Sequence, residues 1–202
     1  MSQPSSDPPR PVPGRDNPVS ATSPLKDDTQ ARPIDPLIVL EEAHAGQLRH
    51  CDALERIADA LPSMPGAFVS RRLVQVLDND MRLYHADVVA GLFPLLRQRC
   101  PDDDRIGSIV DRLDIEDAED DAMLPDVLET LRVLGDDDAS TREADIAGYV
   151  LRGFFESRRR HVAWMTDVVM PIARMRLSPA DRTLLLEIMA RHRAALETQP
   201  SE

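Results

Sequence analysis

The chain has 202 residues, of which 42% are hydrophobic, so we expect one domain with a substantial core. Its 36 acidic and 24 basic side chains give a formal charge of −12, which argues against a nucleic-acid partner because phosphates require a basic surface. No apolar run approaches the roughly 20 residues of a membrane-spanning helix, and the N-terminus lacks the pattern of a secretory signal. We therefore expect a cytoplasmic protein without a membrane partner.

The first segment, residues 1–34, differs in composition from the rest of the chain. It contains eight of the 17 prolines, among serine, aspartate, glutamine and arginine residues. Such a segment cannot bury enough apolar surface to offset its chain entropy, so we predict a disordered, Pro-rich arm. The arm could alternatively serve as a peptide ligand for a partner.

The remainder, residues 35–197, has the local signals of five helices and no sustained alternation of apolar and polar residues. Asp35, Ser140 and Ser178 mark three helix starts, because such residues cap helix N-termini. The run Asp102–Asp104 places negative charge at the start of the third helix, where the helix dipole favours it. The predicted helices span about 37–61, 67–99, 102–134, 140–176 and 178–195.

Four long helices with short connections predict an all-α fold. The expected architecture is an up-down-up-down four-helix bundle with a short fifth C-terminal helix. Pro94, Pro125 and Pro171 lie inside the helical segments, where each proline removes one backbone donor. We therefore expect bends in the helices at these three positions.

Two of these prolines belong to an internal pattern. The eleven-residue segments that start at Tyr84 and His161 align without gaps, and both end in proline. His44 precedes Tyr84 by 40 residues, and Asp117 precedes His161 by 44 residues. The bundle is therefore predicted to consist of two similar helix hairpins, with one polar side chain from each of the four helices.

These segments resemble the hemerythrin-like (HHE cation-binding) family of four-helix bundles, over about residues 37–195. Residues 41–44 and 51–58 of the first helix look like the first metal-binding helix of that family. Residues 92–94 and 171–174 look like the ends of its repeated H-x-x-x-E…L-F-P motif. The resemblance implies a bundle with non-haem iron, held by histidines on all four helices and by glutamates on two of them.

Carried over residue by residue, the resemblance places four polar side chains at ligand positions: His44, Tyr84, Asp117 and His161. Val88 and Met165 stand at the two glutamate positions, and neither can bridge iron ions, so we do not expect the usual two-iron centre. Two imidazoles, a carboxylate and a phenol could hold one non-haem iron. Alternatively, the four groups could satisfy one another by hydrogen bonds without metal. His85 could replace Tyr84 only if the helix rotated or bulged.

The resemblance implies a binding or sensing protein related to non-haem iron, oxygen or nitric oxide, with an altered or lost two-iron site. We do not expect an enzyme, and no nucleotide-binding or serine-hydrolase motif occurs in the sequence. One alternative is a metal-free helical scaffold or a regulatory interaction module, which iron content would distinguish from the first hypothesis. A third hypothesis, a mononuclear iron enzyme, requires an open coordination position and would be distinguished by oxygen-dependent turnover of a substrate.

Charge is distributed unevenly along the chain. Residues 102–145 carry 17 acidic side chains and four arginines. We interpret this acidic third helix either as a solvated face or as a docking surface for a basic protein partner. Arg158, Arg159 and Arg160 form an opposite patch. We expect this patch to pair with the third helix or with a neighbouring molecule.

Overall fold

The computed structural model describes residues 34–63, 65–136 and 140–198, except the side chain of Asp103. The described residues form helices and connecting turns without a strand, which confirms the all-α fold class. Apart from its last residue, the predicted arm of residues 1–34 lies outside the described residues. The elements are α1 (Pro36–Ala60), α2 (Ala67–His85), a first π-helical segment (Ala86–Leu92), α3 (Phe93–Arg99), a 3₁₀ turn (Asp102–Asp104), α4 (Ile106–Leu134), α5 (Thr141–Trp164), a second π-helical segment (Met165–Val169), α6 (Met170–Arg176) and α7 (Pro179–Glu197).

Local capping interactions confirm three of the predicted helix starts. The side chain of Asp35 accepts a hydrogen bond of 3.0 Å from the Leu37 N–H, directly before the first turn of α1. Ser140 and Ser178 each begin a capping box, in which the serine side chain and an acidic side chain three residues later satisfy each other's backbone donors. These starts depend on neighbouring residues alone, which is why the sequence predicts them.

The predicted start of the third helix is wrong by one turn. The aspartates at 102–104 form a 3₁₀ turn, and Arg105 then adopts a left-handed conformation with φ of 52°. This residue separates the acidic run from α4, whose first turn contains no acidic residue. Asp104 instead forms an ion pair with Arg176 at 2.7 Å, so its charge stabilises the contact with the end of α6.

The second and fourth long helices each contain a π-helical segment just before a proline. The Phe93 N–H bonds to the Val88 carbonyl, and the Met170 N–H bonds to the Met165 carbonyl, five residues back in both cases. A proline in an α-helix lacks a donor, and its ring clashes with the carbonyl four residues earlier. The wider π turn accommodates both effects at Pro94 and Pro171, whereas Pro125 lies within the continuous helix α4.

The long helices contact one another as antiparallel neighbours. Along α1 and α2, His44 contacts Tyr84 and His50 contacts Asp80, so residue numbers rise on one helix as they fall on the other. Three further pairs of neighbours follow the same rule. Their contacts are Glu41–Arg174 and Asp59–Arg152 for α1 with α5 and α6, His85–Asp117 and Arg97–Asp111 for α2 and α3 with α4, and Asp117–His161 and Asp120–Arg158 for α4 with α5.

The fifth predicted helix, α7, has 19 residues and covers the first π-helical segment. Gly91 of that segment lies against α7, where an added Cβ would come within 2.9 Å of the Leu185 Cδ1 atom. The Nδ1 atom of His192 lies 2.8 Å from Asp87 Oδ1 and connects the far part of α7 to the same segment. The glycine therefore allows close packing of α7 on the bundle.

Buried apolar side chains form two clusters along the helices. One includes Leu40 and Val169, together with the side of α7 that faces the bundle. The other includes Leu54 and Phe154, toward the opposite ends of the helices. A layer of buried polar residues lies between them in the sequence of each long helix. Among the described residues, no helix is both long and apolar enough to cross a membrane.

Candidate functional site

Each of the four long helical stretches contributes two buried polar residues that are three positions apart. This spacing puts both members of a pair on one helical face. Seven of these residues lie between the two apolar clusters, and we call them the polar layer. The eighth, Asp87, contacts α7 instead. The polar layer consists of His44, Gln47, Tyr84, Asp117, Asp120, Arg158 and His161.

The structure brings together the four side chains that the sequence singles out as metal ligands. His44 Nε2 lies 3.0 Å from the Tyr84 hydroxyl, and His161 Nε2 lies 3.8 Å from Asp117 Oδ1. The ring centroids of Tyr84 and His161 are 6.2 Å apart. All four side chains are buried, so they form one interior cluster rather than separate surface groups.

The guanidinium group of Arg158 supplies the positive charge in the polar layer. Arg158 is only 1% exposed, and its Nη1 atom donates to Asp117 at 2.7 Å and to Asp120 at 3.1 Å. Its Nε atom donates to the Oε1 atom of Gln47 at 2.8 Å. Its Cζ atom lies 4.9 Å from the centre of the Tyr84 ring. Arg158 therefore contacts α1, α2 and α4 at once from its position on α5.

The sequence does not single out Arg158, although it predicts that the arginine patch pairs with the third helix or a neighbour. Arg158 does pair with the third long helix, whereas Arg159 pairs with Asp52 and Glu55 of α1. One signal could have separated them. Arg158 lies three residues before His161, on the face that the sequence already directs into the bundle.

His85 reaches the polar layer from outside. Its Nδ1 atom lies 2.6 Å from Asp117 Oδ2, and its side chain is 33% exposed in a groove between α2 and α4. Tyr84 keeps the interior position, so the helix does not rotate to exchange the two residues. The consequence is that both carboxylate oxygens of Asp117 are engaged, one by His85 and one by Arg158.

Burial keeps the two interior histidines and the tyrosine uncharged. Burial, aided by the positive charge of Arg158, lowers the pKa of His44 to about 4 and that of His161 to about 3. Both imidazoles are therefore neutral at pH 7. Burial also raises the pKa of Tyr84 above its ordinary value, so this side chain remains a phenol. A ferric phenolate requires a shift in the opposite direction.

The two buried aspartates differ in how well they are compensated. Burial favours the protonated form of both, but the hydrogen bond with His85 and the charge of Arg158 lower the pKa of Asp117 to about 2. For Asp120 the effect of burial exceeds that of Arg158, so its pKa is raised. The Arg158–Asp117 ion pair is therefore the main charge interaction of the layer.

Three side chains of the polar layer have buried polar atoms without a hydrogen-bond partner among the described residues. The atoms without a partner are the two ring nitrogens of His161, the Nε2 atom of Gln47 and the Nη2 atom of Arg158. Arginine can only donate, so its bond to Gln47 fixes the amide with Oε1 toward Arg158. The free Nε2 atom of Gln47 is consequently a donor.

The residues of the layer do not fit the iron centre that the family resemblance implies. Val88 and Met165 are fully buried at the two positions where glutamates would be required. Asp117 is already bonded on both oxygens, and Arg158 places a positive charge beside it. Within the described part of the chain, no group of three His, Cys, Asp or Glu side chains is arranged to hold a metal ion.

Comparisons of the chain with protein-family models, with curated proteins and with solved structures found no match.

Proposed function

We propose that this chain is a hemerythrin-like, up-down-up-down four-helix bundle that works without metal, as a regulatory interaction module. The observation that carries the proposal is Arg158, whose buried guanidinium lies between Asp117 and Asp120. The antiparallel contacts between neighbouring helices support the bundle topology. The paired π-helical segments support the two-hairpin organisation that the internal sequence pattern predicts.

Coulomb's law explains why a metal and this guanidinium compete for one place. A metal bound to the Oδ1 atom of Asp117 would lie within about 5 Å of Arg158 Nη1, because that oxygen is 2.7 Å from Nη1. At that separation a divalent and a monovalent cation repel by roughly 7 kcal/mol for an effective dielectric constant of about 20. The guanidinium supplies the positive charge that the carboxylates need, so a metal would have to displace it.

A groove between α2 and α4 supports the interaction role. It is lined by Leu124, Leu128 and Leu196 and by four acidic side chains, two of which pair with Arg82 and Arg132 in the same lining. The other two, Asp121 and Asp126, are exposed and form no ion pair among the described residues, so the lining has an excess of negative charge. Charge complementarity therefore favours a basic, amphipathic protein segment as the partner of the acidic third long helix. The acidic side chains are Asp78, Asp121, Asp126 and Glu129.

Metal analysis tests the proposal directly. The full chain is produced in iron-rich medium, purified without chelator, and analysed for metal content and visible absorption. We expect far less than one iron per chain and no change in thermal stability on addition of ferrous ion. About one iron per chain, with a visible charge-transfer band that Tyr84→Phe removes, would overturn the metal-free assignment.

One observation favours a second candidate, an iron-dependent sensor of oxygen or nitric oxide. Neither ring nitrogen of His161 has a hydrogen-bond partner among the described residues, and the neutral imidazole is a suitable metal ligand. In this alternative, one non-haem iron would be held by His44, Tyr84, Asp117 and His161 after Arg158 moves away. The metal analysis distinguishes the two candidates, because only this one requires iron in stoichiometric amount.

The partner is tested with a lysine-rich amphipathic peptide titrated at low salt. We expect the double variant Asp121→Asn, Asp126→Asn to bind the peptide several-fold more weakly. A matched control, Glu119→Gln with Asp145→Asn, also removes two exposed acidic charges that form no ion pair among the described residues, but outside the groove. Equal weakening by both double variants would mean that the peptide senses overall charge and that the groove is not its docking site.

A further inference from the structure

The outer side of the antiparallel pair α4 and α5 carries exposed apolar side chains that the proposed function does not use. They include Met123, Tyr149 and Trp164, which are 37%, 83% and 41% exposed. The two helices share this side, because Trp164 lines one cavity with Ile109, and a Cβ added at Gly153 would lie 3.9 Å from the Met123 Cε atom. We call this side the α4–α5 face. It consists of Ser108, Ile109, Arg112, Glu116, Glu119 and Met123 of α4 and of Tyr149, Gly153, Ser157, Arg160 and Trp164 of α5.

An open cavity lies at one end of the α4–α5 face. Its volume is about 230 Å³, and it is lined by Ser108, Ile109, Arg112, Leu113 and Trp164. A cavity of about 150 Å³ can hold benzene, so this cavity has room for an aromatic side chain. The exposed ring of Tyr149 lies about 22 Å from Trp164 along α5 and cannot enter the cavity of its own molecule. An aromatic ring that fills the cavity must therefore come from another molecule.

Two opposite charges lie unpaired near the middle of the α4–α5 face. The Asp120–Arg158 ion pair joins α4 and α5 at 3.1 Å. Glu119 and Arg160 therefore lie nearly level with each other, and neither forms an ion pair among the described residues. The other two charged residues of the face pair with each other at 3.0 Å. The face consequently has no net charge, although the chain carries −12, so it can meet a copy of itself without overall repulsion.

A single two-fold rotation matches these features with those of a second copy. If the axis passes between Glu119 and Arg160, α5 of the second copy runs parallel to α4 of the first. Each residue of α4 then meets the residue of α5 whose number is 41 higher. The matched pairs are Glu119 with Arg160, Met123 with Trp164, Arg112 with Gly153, and Ser108 with Tyr149. One register therefore joins opposite charges, exposed apolar side chains, and an exposed ring with the open cavity.

We propose that the α4–α5 face forms a symmetric homodimer, in which Tyr149 of each copy enters the cavity beside Ile109 of the other. The same surface patch serves both copies, as a two-fold interface requires. The matched part is about 22 Å long and about 20 Å wide, or roughly 450 Å² from each copy. This area is at the low end for specific interfaces, so we expect a reversible dimer with a micromolar Kd. The groove between α2 and α4 lies on another side of α4, so the inference does not depend on the proposed function.

Charge reversal tests the two-fold contact directly. Association of the full chain is measured by analytical ultracentrifugation from about 1 to 200 µM at pH 7.5. Glu119→Arg and Arg160→Glu each place like charges at both symmetric contacts, so each should raise the dimer Kd at least about tenfold. In an equimolar mixture of the two variants, the heterodimer has opposite charges at both contacts. The mixture should therefore regain the Kd of the unmodified chain within about threefold.

A matched control separates this contact from the effect of overall charge. Glu42 lies on α1, beside the cavity between α1 and α2, and is exposed without an ion pair among the described residues. Glu42→Arg changes the net charge as much as Glu119→Arg does and should leave the Kd unchanged. Equal weakening by the two variants would overturn the proposal, because association would then depend on overall charge.

The aromatic contact is tested at Tyr149 and at Trp164, the single tryptophan of the chain. Dimerisation should bury Trp164, so its fluorescence should shift to shorter wavelength as the protein concentration rises. Tyr149→Ala retains a good helix former at an exposed position and should raise the Kd at least about tenfold without loss of folding. Three further outcomes overturn the proposal: a monomer throughout the concentration range, a dimer that Tyr149→Ala does not weaken, or a mixture of the two charge variants that stays monomeric.

Discussion

Replacing Arg158 with methionine tests the role of the buried guanidinium in stability. Methionine has a similar length and no charge, so the change removes the ion pairs with Asp117 and Asp120 and the bond to Gln47. Removing one partner of a buried ion pair costs about 3–5 kcal/mol, because the remaining charge has no compensation. We expect a loss near 4 kcal/mol, a large part of the roughly 5–15 kcal/mol available to a domain.

The assay is urea denaturation followed by circular dichroism at pH 7.5, with the free energy of unfolding obtained by linear extrapolation. Arg159→Met is the matched control on the next residue. Its side chain is 31% exposed and pairs with Asp52 and Glu55 at the surface, where such pairs contribute about 0–1 kcal/mol. We therefore expect a difference of about 3 kcal/mol between the two variants.

A rescue experiment separates lost charge pairing from lost packing. In the triple variant Arg158→Met, Asp117→Asn, Asp120→Asn, no buried carboxylate remains in the layer, so at least half of the lost stability should return. Similar losses in Arg158→Met and Arg159→Met would refute the reasoning. So would a triple variant less stable than Arg158→Met alone, since packing rather than charge would then decide stability.

Two further predictions concern protonation and packing. His44 and His161 have pKa values of about 4 and 3 in the folded protein against 6.5 unfolded, so protons bind the unfolded chain first as pH falls. Each histidine should therefore lower the free energy of unfolding by about 2 kcal/mol when the pH falls from 7.5 to 5. In urea titrations at the two pH values, His44→Gln should halve the combined loss. The same pH dependence in His44→Gln as in the unmodified chain would contradict this explanation. Gly91→Val, whose Cβ meets Leu185, should lower the free energy of unfolding by about 1–3 kcal/mol, whereas Gly46→Val should change it by less than about 0.5 kcal/mol. Equal effects of the two valines on thermal unfolding would mean that α7 does not pack closely on the first π-helical segment.

The helices could be predicted from the sequence because their starts depend on short-range chemistry. Asp35 and Ser140 bond to backbone donors within three residues, so the capping pattern is visible without the fold. The boundary at residues 102–104 could not be predicted in the same way. It depends on the left-handed conformation of Arg105 and on the distant partner of Asp104, which is Arg176.

The candidate site could be predicted only in part. Alignment of the two hairpins identifies His44, Tyr84, Asp117 and His161, and these side chains do lie together in the interior. The same alignment cannot show that Arg158 fills the space among them. A run of three arginines is typical of a solvated surface, and only the packing of α5 against α1 and α4 distinguishes the buried member from its neighbours.

The two π-helical segments have a consequence for which side chains point into the interior. The Phe93 N–H bonds to the Val88 carbonyl and the Met170 N–H bonds to the Met165 carbonyl, five residues back in both cases. On a continuous α-helix, residues five apart differ by roughly 140° around the axis and cannot share one face. A π turn holds one more residue than an α turn and removes most of this difference. Val88 and Phe93 are accordingly both buried, as are Met165 and Met170, so each proline-containing helix continues with its apolar side toward the core.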